Sequence, residues 1–190
     1  MAVAAKKLTW DDIKDWPEDA GRKTELVDGR VVVSPSSGRP HSLANLRLAE
    51  ALIPFVREGN LGELHVAPID CVLASETVYQ PDLCFIRRGR EGILTDRIEG
   101  APDLAIEILS PSNRVHDTEV KFRDYARFGV VEYWIVDPES KTVRTFANRG
   151  GQFELLAESV GEAIVVTRVF EGLRVGADRI FSSGEGAGRR

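Results

Sequence analysis

Apolar side chains between residues 41 and 58 recur at Leu43, Leu46, Ala49, Leu52, Ile53 and Val56. That three-and-four spacing predicts an amphipathic helix over 41–58, in which Pro54 is expected to introduce a kink or an early end. Ahead of it the period changes to two. Segments 24–27 and 30–33 flank Asp28-Gly29, a hairpin signal that predicts a type I′ turn. Thr9 followed by Asp12, with Trp10, Ile13 and Trp16 on one stripe before Pro17, predicts a short first helix. Segments 63–66, 69–74 and 78–87 read as strands separated by turn residues. Segment 103–109 is apolar on both faces apart from Asp103 and Glu107, the pattern of a central strand. A helix over 117–128 closed by Gly129, then a strand over 132–136 stopped by Asp137-Pro138, completes a strand–helix–strand order. Short antiparallel strands are expected at 142–147, 152–157 and 164–167, with Asn148-Arg149-Gly150-Gly151 as a hairpin loop.

These elements predict an α/β (α+β) class, a mixed central sheet flanked by helices with additional antiparallel strands. The 190 residues fit one domain, expected over 1–181, and the Gly/Ser/Arg-rich stretch 182–190 reads as a disordered tail. Composition, 43% apolar and 29% charged, is that of a globular chain, and no run approaches the roughly 18–20 apolar residues of a membrane span. A cytoplasmic protein is therefore expected. Cys71 and Cys84 lack CxxC spacing and sit in apolar stretches, so they read as small buried hydrophobes. The net charge of -5 argues against generic adhesion to nucleic acid or anionic membrane. Carboxylates loaded with a divalent metal, however, attract phosphate.

Glu107 is the anomaly in this pattern. It lies inside a run that should be buried on both faces, where an unpaired ionised carboxylate is costly or becomes neutral. With a period of two, Asp103, Ala105, Glu107 and Leu109 share one face, and Leu104, Ile106 and Ile108 the other. In segment 78–87, Gln80, Asp82 and Cys84 share a face, so Asp82 repeats the anomaly. If the two strands are neighbours with Asp82 and Glu107 on one side, the carboxylates repel unless a cation stands between them. Mg²⁺ or Mn²⁺ meets that need, because it prefers oxygen ligands and commonly takes one or two carboxylates. The competing readings are local: a strand-end carboxylate capping a turn for Asp82, and a buried ion pair with Lys121 for Glu107. No GxxxxGK[ST], GxSxG or HExxH motif is present, nor a GxGxxG after a strand, which removes the minimal parts of nucleotide, serine-hydrolase, zincin and dinucleotide sites. A paired-carboxylate glycosidase also fits the two acids, but a carbohydrate groove usually wants more exposed aromatics than a 7% aromatic content permits.

Pro81-Asp82, followed 25 residues later by Glu107-Ile108-Leu109, is similar to the PD-(D/E)XK motif of restriction-endonuclease-like nucleases, except that Leu109 stands where the motif has lysine. A wider pattern surrounds it. It comprises Glu25-Leu26-Val27-Asp28-Gly29, Ser34-Pro35, His41, Gln80-Pro81-Asp82-Leu83, the run from Pro102 to Ser112, Asp117, Lys121, Tyr125, and Gly129-Val130 through Pro138. Together these resemble the Uma-two family of putative restriction endonucleases over about residues 8–181. The resemblance implies a restriction-endonuclease-like core, a Mg²⁺ (or Mn²⁺) site, and hydrolysis of DNA phosphodiester bonds by a metal-activated water.

On the matching positions, Asp82 and Glu107 are the implied metal ligands, with the Ile108 carbonyl and Glu25 as further candidates. Lys121 is implied to replace the missing strand lysine. Its spacing agrees, since Asp117, Lys121 and Tyr125 fall at i, i+4 and i+8 on one helix face. Asp82, Glu107, Lys121 and Glu25 thus form the candidate catalytic set. His41 and Gln80 are candidate substrate contacts. Arg87, Arg88 and Arg90 read as phosphate contacts or as a solvated loop, and His65 and His116 carry no assigned role. A homodimer suits the cutting of both strands of a duplex. Because Leu109 departs from the motif, the alternative is a catalytically inactive nuclease-fold module that binds nucleic acid or a protein partner.

Overall fold

A computed structural model describes residues 6–17 and 22–182. The tail expected over 182–190 lies, from residue 183 on, outside the described residues. Helix α1 (Trp10–Ile13) starts as its Thr9/Asp12 pattern predicts, with the Thr9 N–H donating to Asp12 Oδ2 at 2.8 Å. Strands β1 (Lys23–Val27) and β2 (Arg30–Ser34) form the expected hairpin. Asp28 and Gly29 both take positive φ, 48° and 74°, as a type I′ turn requires.

Helix α2 (Arg39–Glu58) runs through Pro54 without ending. Its buried seam also differs from the expected stripe: Ala44, Leu48, Leu52 and Val56 face the core, whereas Leu46 is exposed. The small Ala44 and three larger residues spaced by four form one ridge along the helix, and that packing outweighs the hydrogen bond Pro54 cannot make.

The strand expected over 78–87 is two strands in two sheets. Strand β5 (Thr77–Tyr79) belongs to one and β6 (Leu83–Arg87) to the other, with Gln80-Pro81-Asp82 as the crossing. Pro81 has no N–H to give a ladder, so the chain leaves one sheet there and enters the next. The five-stranded sheet has the order β2-β1-β5-β4-β7, completed by β4 (Cys71–Ala74) and β7 (Ile98–Glu99). The six-stranded sheet adds β3 (Gly62–Val66), β8 (Leu104–Ile108), β9 (Glu132–Asp137), β10 (Thr142–Arg149) and β11 (Gln152–Val160), in the order β11-β10-β9-β8-β6-β3. Strand β8 is central, antiparallel to β6 and parallel to β9. The parallel pair is joined by a π-helical turn (His116–Val120) leading into α3 (Lys121–Phe128), which Gly129 closes at φ 92°. Both sheets are mixed, so the predicted α+β class holds.

Alternation along β8 divides the interior. Leu104, Ile106 and Ile108 pack with α2, Trp134 and the final helix α4 (Ala177–Phe181) in one apolar cluster. Ala105 and Leu109 join Tyr79, Tyr125, Tyr133 and Ile135 in another, toward α3 and the five-stranded sheet. Cys71 and Cys84 are buried and free, as expected. Segment 164–167 is not a strand and makes only the isolated bridge Ile164–Gly176. Its surroundings satisfy the backbone differently: the Val165 N–H donates to Val175, and the buried Glu132 carboxylate accepts from Arg168 and Val169 N–H. No helix among the described residues is long and apolar enough to cross a membrane.

One glycine is demanded by close approach. A Cβ on Gly62, at φ +147°, would lie 2.0 Å from the Ile86 carbonyl oxygen and 2.7 Å from Arg88 N, both backbone atoms of the paired strand and its extension. Gly62→Ala is expected to lower stability by about 3 kcal/mol, as measured by urea denaturation.

Candidate functional site

Three elements converge on the face of β8 that carries Glu107. Strand alternation brings Glu107 from β8 and Glu25 from β1, while the turn before α3 and the helix itself bring Asp117, Lys121 and Tyr125 at intervals of four. Lys121 Nζ stands 2.8 Å from Glu107 Oε1, 2.8 Å from Glu25 Oε1 and 3.4 Å from Asp117 Oδ1. Its side chain is 1% exposed. The Tyr125 hydroxyl donates to Glu107 Oε1 at 2.9 Å, and the Tyr79 ring lies 5.5 Å from the ammonium. Glu25 is held from both sides, by the Gln80 backbone N–H at 2.9 Å and by His116 Nε2 at 3.2 Å.

Asp82 reaches the same place through the sheet crossing. Its neighbour Leu83 pairs with Ile106, which sets Asp82 level with Glu107. The Ile108 N–H donates to Asp82 Oδ2 at 2.8 Å, and His41 Nε2, from the first turn of α2, meets the same oxygen at 3.0 Å. Lys23 Nζ donates to Asp82 Oδ1 at 3.1 Å and stands 3.7 Å from Glu107 Oε2. Glu107 Oε2 and both Asp117 oxygens are buried without a hydrogen-bond partner. Lys23, Glu25, His41, Asp82, Asp117 and Lys121 line a cleft of about 570 Å³ with Trp16, Ser110, Asn113 and His116, and the fully buried Glu107 meets that lining through Lys23 and Lys121.

Electrostatics divides the four carboxylates. Burial pushes Glu25 up, but Lys121, the His116 hydrogen bond and Lys23 outweigh it and bring the carboxyl to about 2. Asp82 is likewise held below the usual range, with Lys23 and His41 overcoming its burial. For Glu107 burial prevails over Lys121 and Lys23 and the carboxyl is raised, and burial lifts Asp117 well above its ordinary value. Lys23 and Lys121 stay charged, because the surrounding carboxylates more than offset their desolvation.

The structure brings Asp82, Glu107, Glu25, Lys121 and His41 into one network. Gln80 joins it through its backbone, while its side-chain amide donates to Asp70 Oδ1 at 2.9 Å. Ile108 meets Asp82 through its N–H. Leu109 lies in the apolar cluster around Tyr125 and Tyr133. Of the loop arginines, Arg87 and Arg90 turn to Asp103, at 3.9 and 2.8 Å. Sequence reasoning passed over Lys23, His116 and Asp70. For Lys23 a signal existed, since it precedes Glu25 by two residues and so shares its side of β1.

Among the described residues, no three His, Cys, Asp or Glu side chains form a ready-made metal cage. The donor chemistry nevertheless suits a hard dication. Asp82 Oδ1 and the unpartnered Glu107 Oε2 face a common cation, and Mg²⁺ needs only one or two carboxylates besides water and phosphate oxygens.

Comparison with known proteins adds a family. The family model described as Uma2, putative restriction endonuclease, matches residues 10–178. An uncharacterized protein from Synechocystis sp. (strain ATCC 27184 / PCC 6803 / Kazusa) is 24% identical, with 88% of this chain and 93% of that protein covered. A crystal structure of a putative nuclease belonging to DUF820, from Anabaena variabilis ATCC 29413, shares the fold at a TM-score of 0.76 and 20% identity. That superposition covers 92% of this chain and 97% of the other.

Two outcomes follow from the network. Lys121→Met removes the partner of three buried carboxylates and is expected to cost about 3–5 kcal/mol in urea unfolding. Glu25, depressed from 4.5 to about 2, adds stability that is complete above the higher value and lost as pH falls toward the lower. The stability difference between the wild type and Glu25→Gln should therefore shrink from pH 6 to pH 2, as followed by thermal melting.

Proposed function

The chain belongs to the Uma2 family of putative restriction endonucleases, and from that premise we propose that it is a metal-dependent endonuclease that hydrolyses DNA phosphodiester bonds. The observation that carries the reading is the cation-binding pair itself. Asp82, at the crossing that leads into β6, and Glu107, on the antiparallel strand β8, direct one oxygen each at the same ammonium, that of Lys23, which lines the cleft. In this reading Asp82 and Glu107 hold Mg²⁺ or Mn²⁺, with the Ile108 carbonyl as a third oxygen. The bound metal would supply Lewis acidity, polarising the phosphoryl group and lowering the pKa of water.

The remaining residues position and neutralise. His41 and the Ile108 N–H fix the rotamer of Asp82, so that Oδ1 is the oxygen left to face the cleft. Lys121 and Tyr125 fix Glu107 through Oε1 and leave Oε2 free of hydrogen bonds. Glu25, with acceptors engaged by Lys121, Gln80 and His116, is assigned an orienting role at the attacking water. Lys121 supplies the positive charge that the motif usually takes from the strand lysine, here Leu109. Gln80 and His41 border the substrate side of the cleft. A two-fold homodimer would present two such sites to the two strands of a duplex.

One observation favours a second reading. Leu109 is committed to an apolar cluster, so the strand lysine has no counterpart on β8, as expected of a nuclease-fold module that binds nucleic acid or protein without cutting. Supercoiled plasmid distinguishes the two. Wild type is expected to nick it in Mg²⁺ or Mn²⁺ and not in EDTA, while Asp82→Asn and Glu107→Gln lose at least about 10²-fold in rate and still unfold cooperatively. Equal cleavage by wild type and both variants would remove the assignment, and cleavage by none of them would favour the second reading.

A further inference from the structure

Lys23 opens β1 and is the lysine of this network that keeps contact with solvent. Its side chain is 20% exposed, against 1% for Lys121. Both line the cleft, but Lys121 is held by three carboxylates at 2.8–3.4 Å, whereas Lys23 is held by two at 3.1 and 3.7 Å on a flexible four-carbon stem. Its ammonium takes a particular place. His41 and the Ile108 N–H occupy Asp82 Oδ2, and Lys121 with Tyr125 occupies Glu107 Oε1. The oxygens left over are Asp82 Oδ1 and Glu107 Oε2, and Lys23 Nζ lies between them at 3.1 and 3.7 Å.

We propose that Lys23 is the resident cation of the site: it holds Asp82 and Glu107 together until a divalent metal displaces it, and it then extends into the cleft to contact a substrate phosphate. This inference rests on the metal-dependent reading above. The physical basis is competition. A dication brings twice the charge of an ammonium to the same two oxygens, so it can displace Lys23, but its apparent affinity is lowered by the contacts Lys23 must give up. At 3.7 Å from Glu107 Oε2, with no hydrogen bond formed there, the ammonium is the more weakly seated of the two lysines. Once released, it stays at the cleft that its side chain already lines. A cation would thereby return to the substrate side of a strand whose own motif position is Leu109.

The test measures binding rather than turnover. Mn²⁺ is titrated by calorimetry into wild type, Lys23→Met and Asp82→Asn, and each protein is melted in EDTA. Lys23→Met is expected to bind Mn²⁺ about tenfold more tightly than wild type and to melt at a lower temperature in EDTA. Its Mn²⁺-induced rise in Tm should exceed that of wild type. With Ca²⁺ in place of Mn²⁺, binding of a short DNA duplex should lose one phosphate contact, which lowers the slope of log K against log salt by about 0.9. Lys23→Gln, whose amide can donate to both carboxylates, carries the same comparison should the methionine variant not fold. Equal or weaker Mn²⁺ binding by the Lys23 variants, with Asp82→Asn still abolishing it, would overturn the role of Lys23 and leave the metal site standing. Mn²⁺ binding that survives Asp82→Asn, or that is absent from all the proteins, would overturn the metal reading and this inference together.

Discussion

An ammonium buried among carboxylates organises this molecule. Lys121 meets Glu107 from β8, Glu25 from β1 and Asp117 from the turn before its own helix. It thereby ties the six-stranded sheet, the five-stranded sheet and α3 to one point. None of these charges is stable there alone, since burying an ion without its partner is far more costly than exposing it. The sheets can approach only if all the partners arrive together, so the ion cluster sets how the two sheets meet. The aromatic residues around it serve the same end: Tyr125 hydrogen-bonds Glu107, and Tyr79 lies beneath the ammonium while its hydroxyl donates to Asp124 at 2.7 Å.

The cluster is satisfied unevenly, and the unevenness points in one direction. Oε1 of Glu107 is paired with Lys121 and Tyr125, whereas its Oε2 lacks a hydrogen bond, as do both oxygens of Asp117. Burial raises the pKa of these two acids, while Glu25 and Asp82, better served by cations and hydrogen bonds, are lowered. A protein selected for stability alone would close such gaps with apolar side chains. The proposed metal-dependent reading draws on this incompletely satisfied acidic site.

Much of this was legible along the chain because it follows from local periodicity. Glu107 declared itself by interrupting a doubly buried strand, and Asp82 by repeating that anomaly on the face of segment 78–87 that it shares with Gln80 and Cys84. The i, i+4, i+8 spacing placed Lys121 and Tyr125 on the side that reaches Glu107, and the Asp28-Gly29 turn fixed which residues of β1 and β2 stand opposite one another. Less was visible where two sheets had to be told apart. Segment 78–87 alternates well enough to pass for one strand, and only the missing N–H of Pro81 hints that it changes sheets. The α2 seam was misplaced because Leu46 is as apolar as Leu48, and burial there depends on which face the sheet meets.

The sequence by itself determined the class of fold, the hairpin, the central acidic strand and the family pattern. Each of these depends on residue spacing over a few positions or on motif residues read in order. The tertiary structure alone decided which cations stand against which carboxylates. His116 carries no local mark that separates it from surface residues, and Lys23 only its place two residues before Glu25; they belong to the site because β1 and the turn before α3 are folded onto β8 from 82 and 9 positions away in the chain, counted from Glu25 and from His116 to Glu107. Coulombic partnership falls steeply with distance and depends on burial, and both are properties of the assembled fold.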